Sequence, residues 1–375
     1  MSKTSDQLSD VNPEATVRAS VVSILRNQEE NGAIVASPDF AEYRYCWLRD
    51  GSFVAYALDQ VGEHDASRRY HAWVNQAIDG ISELIDRAIE WHRLGKPLHP
   101  DHMPPARFAL DGSNVVGDDW PNFQIDGYGT WLWSLGQHLL ITGQSVIPEE
   151  FRNSVERVGR YLDAFALTPC FDVWEESGTA LHTSTLACVY GGLTAAARLL
   201  DEKDFAERAH TVRSRLRDSA MNFGRYVKST ESDEVDASIL WLSTPFRVVE
   251  PDDRNFAETV RVIEERLRLD GGLRRYPTDT YFGSGAWPVL TASIGWHYLS
   301  VGDPDAARLA RDWVAAHFDE QGRLGEQFGG ERRDPEHYLE WVERWGPPAK
   351  DLTWSHAMYV VLCAALAGSD GPQTG

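Results

Sequence analysis

Apolar residues recur every three to four positions along most of the chain, and polar residues, glycine or proline punctuate the runs. That period predicts helices at Val17–Arg26, Ser52–Val61, Ala66–Leu94, Gly129–Thr142, Glu149–Phe165 and Thr183–Leu200. It continues through Lys203–Phe223, Asp236–Leu242, Asn255–Leu267, Trp287–Val301, Pro304–Phe318 and Leu352–Leu366. Short β-branched stretches such as Phe246–Val249 are candidates for small strands, but no alternating strand series accompanies them. The longest irregular stretches are Gly95–Asp119, Thr168–Leu181, Asp270–Gly285 and Asp319–Lys350. They fall between helices at regular intervals, as loops on one face of a helical toroid do. No short fixed repeat marks a solenoid. The pattern therefore predicts an all-α fold, with paired helices closing into an (α/α)6 barrel. We expect a single domain over residues 1–375, with a polar start (Met1–Asn12) and a frayed tail (Gly368–Gly375).

Charge narrows the partners. With 36 Lys+Arg against 57 Asp+Glu, the formal net charge is −21, which repels phosphate backbones and anionic lipid. Nucleic acid and membrane surfaces are disfavoured, and a neutral substrate fits better. No apolar run approaches the roughly 18–20 residues that span a bilayer, and Met1–Asn12 has no apolar segment of the signal-peptide kind. The four cysteines, Cys46, Cys170, Cys188 and Cys363, are widely spaced without a CxxC pair. They read as buried thiols in a reducing cytoplasm rather than as a disulfide framework. Fourteen Trp, 13 Tyr and 14 Phe point further, because flat rings stack on pyranose faces while polar groups read the hydroxyls.

Four segments carry unusual chemistry at loops or helix ends. The first, Tyr43-Arg-Tyr-Cys-Trp-Leu-Arg-Asp50-Gly51, holds an Arg–Asp pair that also suits a simple helix cap with a salt bridge. The second is Trp120-Pro-Asn-Phe-Gln-Ile-Asp126-Gly127. In the third, Asp172-Val-Trp-Glu175-Glu176, two carboxylates meet an indole. The fourth, Gly325-Glu326-Gln327, precedes Asp351-Leu-Thr-Trp354-Ser355-His356. Any one of these carboxylates alone is an ordinary solvated or capping group. Together, in an all-α scaffold rich in tryptophan, they suit glycoside hydrolysis. That reaction needs one protonated carboxyl to donate to the leaving oxygen and one carboxylate to activate water. A wall formed by Trp174 would raise the pKa of Glu175 and fit it to the acid role.

From about Glu42 to Met358 the chain resembles family 15 glycoside hydrolases, the glucoamylase group. Asp172-Val-Trp-Glu175-Glu176 is similar to that family's Asp-Leu-Trp-Glu-Glu, and Gly325-Glu326-Gln327 to its Glu-Gln segment. The resemblance implies Glu175 as general acid, Glu326 as general base, and Glu176 with Trp174 beside the sugar. It implies that Arg49 and Asp50 grip the non-reducing glucose, and that Trp120, Arg275 and Trp354 contact substrate. Tyr45 matches a tyrosine near the attacking water. It further implies the (α/α)6 barrel, inversion at the anomeric carbon, and neither metal nor cofactor.

The chain also departs from the family. Where many members have Thr-Tyr-Tyr-Asn-Gly, it has Thr280-Tyr281-Phe282-Gly283-Ser284, so Phe282 lacks a hydroxyl that would hold Tyr45. No N-terminal β-sandwich or starch-binding module is expected. The segment Gly329–Lys350, with Trp341 and Trp345, is longer than in fungal members. Its tryptophans would either stack on a second sugar or anchor the loop. These departures suggest a short soluble substrate, as in isomaltose-hydrolysing members. We expect an α-1,6 linkage first, with α-1,4 and α,α-1,1 cleavage as alternatives. Two further rivals are a non-catalytic sugar-binding barrel and a phosphorolytic one, whose anion site would replace Glu326. Asp111-Gly-Ser-Asn-Val-Val-Gly-Asp-Asp fails the calcium-loop pattern, and His99 with His102 lacks a third ligand at a sensible spacing. His356 reads as a pocket-wall or core residue.

Overall fold

The computed structural model describes residues 12–99, 102–115 and 120–370. The polar start up to residue 11, the 116–119 end of the acidic loop and residues 371–375 lie outside them. In chain order the helices are α1 (Pro13–Arg26), α2 (Leu48–Gln60), α3 (His64–Gly80), α4 (Ser82–Arg93), α5 (Asp126–Ile141), α6 (Glu149–Phe165) and α7 (Thr183–Leu200). They continue with α8 (Lys203–Ser219), α9 (Arg254–Leu267), α10 (Pro288–Ser300), α11 (Pro304–Ala315), α12 (Gly330–Arg333), α13 (Pro335–Trp345) and α14 (Thr353–Asp370).

Two kinds of apolar pattern sort these helices into two layers. Helix α6 buries Phe151, Val155, Val158, Leu162 and Phe165, a single stripe, and turns its charged residues outward. Helices α1, α3, α8, α9 and α11 behave in the same way. By contrast, α2 is buried at every residue from Leu48 to Ala55, and all six residues of a 3-10 turn at Ala237–Leu242 are buried. A segment apolar around its whole circumference needs neighbours on every side. Here α2 packs on α5, α5 on α7, α7 on the 3-10 turn, the turn on α10, α10 on α14, and α14 back on α2. Outer and inner segments alternate along the chain, so the circuit is the expected (α/α)6 barrel.

Closure joins distant parts of the chain. The Ser23 hydroxyl donates to Asp351 Oδ1 (2.8 Å), Arg26 pairs with Asp351 Oδ2 (2.6 Å), and the Thr353 hydroxyl donates to the Val35 carbonyl (2.6 Å). The α5–α7 contact depends on glycine. A Cβ at Gly129 would stand 2.3 Å from the Cys188 carbonyl oxygen, and one at Gly192 would stand 2.6 Å from Gly129 Cα.

Several elements differ from the sequence expectation. The helix foreseen over Ala66–Leu94 breaks at Ile81, whose φ −110 and ψ 15 leave the helical range just after Gly80. Asp236–Leu242 is a 3-10 turn, capped by the Asp236 carboxylate accepting from the Ser238 N–H (2.8 Å). Helix α8 stops at Ser219, and Met221–Asn222 turns into a short antiparallel pair with Arg225–Tyr226. Phe246–Val249 forms no strand, whereas Cys46–Trp47 (β1) pairs with Arg107–Phe108 (β2). Helix α14 runs on to Asp370, so Gly368 is helical rather than part of a tail. The segment after Gly329, read as loop, holds α12 and α13. Asp334 caps α13 by accepting from the His337 N–H (3.3 Å).

Candidate active site

The inner segments α2, α5, α7, α10 and α14 present their N-terminal ends to one mouth of the barrel. The loops there enclose a cavity of about 480 Å³, within the roughly 300–1,000 Å³ of small-molecule sites. Arg49 and Asp50 enter it from the first turn of α2, and Trp120 from the loop before α5. Trp174, Glu175 and Glu176 come from the loop before α7. Arg275 precedes α10, Glu326 lies just before α12 and α13, and Trp354 is in the first turn of α14. Nine of the ten residues singled out in the sequence therefore line one cavity.

Tyr45 is the exception. Its ring lies 4.2 Å from the Arg107 guanidinium and edge-on to Trp47 (6.3 Å), outside the cavity wall. The β1–β2 pairing that sets Trp47 opposite Arg107 directs Tyr45 to that side. The tyrosine that reaches Glu326 is Tyr43, whose hydroxyl donates to Glu326 Oε1 (2.8 Å) and lies 2.7 Å from the Tyr281 hydroxyl. Phe282, expected to weaken this contact, is wholly buried beside Phe40 and Trp341. The hydroxyl comes from its neighbour, Tyr281. Both tyrosines lie in the Tyr43–Gly51 segment, where the sequence reading chose Tyr45, and only the direction of the chain at β1 separates them.

Glu175 sits at φ 68, a left-handed conformation that a glutamate adopts only when its surroundings hold it there. Asp172 provides the hold. Its Oδ1 accepts from the N–H groups of Trp174 and Glu176, both at 2.9 Å. Lys228, mostly buried, lies 3.6 Å from Asp172, 3.7 Å from Glu176 and 3.6 Å from Asp236, and so balances the charge beneath the loop. Trp47 and Gln124 donate to Glu175 Oε1 at 2.6 and 3.2 Å. The indole on this carboxylate thus belongs to Trp47. The Trp174 indole instead donates to Asp236 (2.9 Å) and packs on Trp287.

Charge in the cavity is paired. Arg49 meets Asp50 (3.3 Å) and Asp126 (3.1 Å), with its guanidinium 5.4 Å from the Trp354 ring. Arg275 grips Asp279 through two nitrogens (2.5 and 3.1 Å) and reaches Glu176 at 3.3 Å. Glu326 is buried and its Oε2 has no protein hydrogen-bond partner. Burial pushes its carboxyl up to about 7, although the Tyr43 hydrogen bond and Arg275 act against that rise. Burial likewise raises Asp50 to about 6 against the pull of Arg49. The buried indole N–H groups of Trp120, Trp287 and Trp354 have no protein partner and line the same cavity, as donors for hydroxyl oxygens.

The sequence reading missed Tyr43, Trp47, Gln124, Tyr281 and Trp287. Trp47 was legible in principle, lying two residues before the Arg49–Asp50 pair; the others depend on tertiary placement. Trp341 and Trp345 of α13 line the cavity mouth. Trp341 also packs on Tyr281 (4.8 Å) and Phe282 (5.9 Å), whereas Trp345 is 40% exposed. His356 is a core residue, with Nδ1 3.0 Å from the Ser20 hydroxyl and Nε2 3.1 Å from the Leu324 nitrogen. The rings of His99 and His102 lie 5.8 Å apart, away from this cavity. All four cysteines are free thiols.

A toroid of paired helices, with carboxylates, arginines and indoles gathered at one mouth, belongs to the class of carbohydrate-cleaving hydrolases. The family model for glycosyl hydrolases family 15 matches residues 13–330, and the chain belongs to that family and is a glycoside hydrolase. It is 36% identical over 356 residues to the isomaltose glucohydrolase of Kribbella flavida, covering 93% of this chain and 92% of that one. Trehalase 2 of Sulfolobus acidocaldarius is 24% identical over 338 residues, covering 82% of this chain and 56% of that one. Among solved structures, a glycosidase variant in complex with glucose is similar with a TM-score of 0.91 and 34% identity, covering 97% of this chain and 99% of that one. The glucoamylase of Saccharomycopsis fibuligera shares the fold with a TM-score of 0.75 at 14% identity, covering 96% of each chain. Among the described residues, no helix is long and apolar enough to cross a membrane.

Proposed function

We propose that the protein is an inverting exo-α-glucosidase that releases β-glucose from the non-reducing end of short α-glucosides, isomaltose first among them. The observation that carries this reading is the pair Glu175 and Glu326 in one cavity, each with one oxygen held by a neutral donor. Glu175 protonates the glycosidic oxygen. Glu326, with Oε2 free, removes a proton from water on the opposite face of the ring. A carboxyl near pH 7 suits either role, and it is the Asp172–Glu176 motif that gives Glu175 the acid.

Arg49, Asp50 and Arg275 hold the hydroxyls of the terminal glucose, with Glu176 assisting, while Trp120, Trp174 and Trp354 form the apolar walls. Tyr43 takes the water-side place first given to Tyr45. As proposed, the reaction needs no metal or cofactor. The 36% relative supports the α-1,6 preference, and the trehalase relatives keep α,α-1,1 cleavage as the second reading. We read the chain as one catalytic domain, since a single ring carries every site element, and place it in the cytoplasm, a reading that the free thiols support.

The test is kcat/KM on isomaltose, maltose, kojibiose, nigerose and trehalose, with and without phosphate. Isomaltose should lead, unaffected by phosphate. Higher kcat/KM on trehalose or maltose would replace the linkage assignment, and a requirement for phosphate would replace hydrolysis.

A further inference from the structure

At the other end of the inner ring, α2, α3 and α5 bring Asp59, His71 and His138 together. One ligand atom from each lies within 4.8 Å of the other two, and all three side chains are buried. Asp59 is nine residues beyond Asp50 on α2, so at about 1.5 Å per residue the cluster is ~13 Å along the helix from the cavity. Hydrogen bonding accounts for two of its members. His138 Nδ1 lies 3.0 Å from both Asp59 oxygens, the Ser67 hydroxyl donates to Asp59 Oδ2 (2.8 Å), and His64 Nδ1 lies 2.9 Å from Oδ1.

It does not account for His71. That ring is wholly buried and neither of its nitrogens has a hydrogen-bond partner. It faces His138 with centroids 5.3 Å apart. A buried polar ring without partners costs free energy that a core aromatic of similar size would not. Both ring nitrogens are unengaged, so one of them has a lone pair free for a ligand.

We propose that Asp59, His71 and His138 bind a divalent first-row transition metal, Zn2+ above all, as a structural clamp between α2, α3 and α5. Two imidazoles and a carboxylate are a donor set that selects such ions over Mg2+ or Ca2+, which prefer oxygen ligands throughout. Ligand atoms about 2.0–2.2 Å from zinc stand roughly 3.3 Å from one another in a tetrahedron, so the three side chains close in modestly. His138 exchanges its hydrogen bond to Asp59 for a bond to the ion, carrying its proton on Nε2. His64, with a side chain 42% exposed, stays on Asp59 Oδ1 from the solvent side (2.9 Å), and water takes the fourth position on the ion.

The test uses untagged full-length protein, stripped with EDTA, dialysed and titrated with Zn2+, then with Co2+ to read the visible spectrum of the bound ion. We expect one equivalent to bind with a Kd in the micromolar range or below. Tm should rise by about 3 °C or more at hundredfold excess over Kd, and Mg2+ should have no effect. His71→Gln should weaken binding at least about tenfold, the low end for loss of a metal contact. Turnover should be the same with and without the ion, because the clamp is remote from the cavity. Absence of saturable binding, or equal Zn2+ affinity in His71→Gln, overturns the proposal. If that variant fails to fold, the wild-type Co2+ spectrum decides: tetrahedral bands support the site, and an octahedral aquo spectrum overturns it.

Discussion

Glu326 has one oxygen on the Tyr43 hydroxyl and the other unpartnered, so its ionisation is exposed to both pH and the tyrosine. A base must be deprotonated to act. With its carboxyl at about 7 in the free protein, kcat/KM should rise with pH through that region. The Tyr43 hydrogen bond stabilises the carboxylate and lowers this value, so Tyr43→Phe should move the acid limb of the pH–kcat/KM profile upward. Tyr45→Phe, outside the cavity, should leave it in place. An unmoved limb in Tyr43→Phe, or a shifted one in Tyr45→Phe, would return the role to Tyr45. Glu175→Gln and Glu326→Ala should each lower kcat by at least about 10²-fold while substrate still binds, and near-wild-type turnover in either would remove that residue from its role. At this scale the sequence was legible wherever a motif names a residue type in a fixed turn, as at Asp172–Glu176. It was not legible at Tyr43, because two tyrosines two positions apart share a face in an extended strand and diverge in the turn that precedes β1.

Helix α13 is the element that the helical period failed to announce. It is short, none of its residues is buried, and its apolar face packs on the cavity mouth rather than on the barrel core. The inner helices were easier to read, because burial on every side leaves long apolar runs. Trp341 is wedged against Tyr281 and Phe282, so it anchors the helix, and we propose that the more exposed Trp345 at the cavity mouth is the ring that meets a second sugar. We therefore expect kcat/KM to fall at least about tenfold, or 1.4 kcal/mol, from isomaltose to longer α-1,6 oligosaccharides. Trp345→Ala should relax that fall, and flat kcat/KM through isomaltopentaose would show an open cleft instead. The α5–α7 contact gives a stability test. Gly192→Ala would place a methyl 2.6 Å from Gly129 Cα, so the helices must part. A loss of about 1–3 kcal/mol is expected from such overpacking, and an unchanged urea midpoint would contradict it.

For the molecule as a whole, the two carboxylates are held by opposite parts of the ring, one before α7 and the other before α14. Inversion calls for a gap of about 6.5–9.5 Å between them, with room for water. Proton NMR of fresh product should show β-glucose before mutarotation, and α-glucose as the first product would contradict the mechanism. The ring itself was legible from the helix series and the long loops spaced regularly between its members, although its fourth inner member proved to be a 3-10 turn. Its closure has a consequence for synthesis. The bonds from Ser23, Arg26 and Val35 to Asp351 and Thr353 join segments more than 300 positions apart, and Trp354 comes with them. While the ribosome is still adding residues, at about 5–20 per second, the first five inner segments can only form an open trough. Its apolar flanks on α2 and α10 stay exposed until α14 leaves the exit tunnel. A nascent chain stalled before Leu352 should therefore be held by chaperones and cleave no sugar, and activity should appear in one step once α14 has emerged and closed the ring.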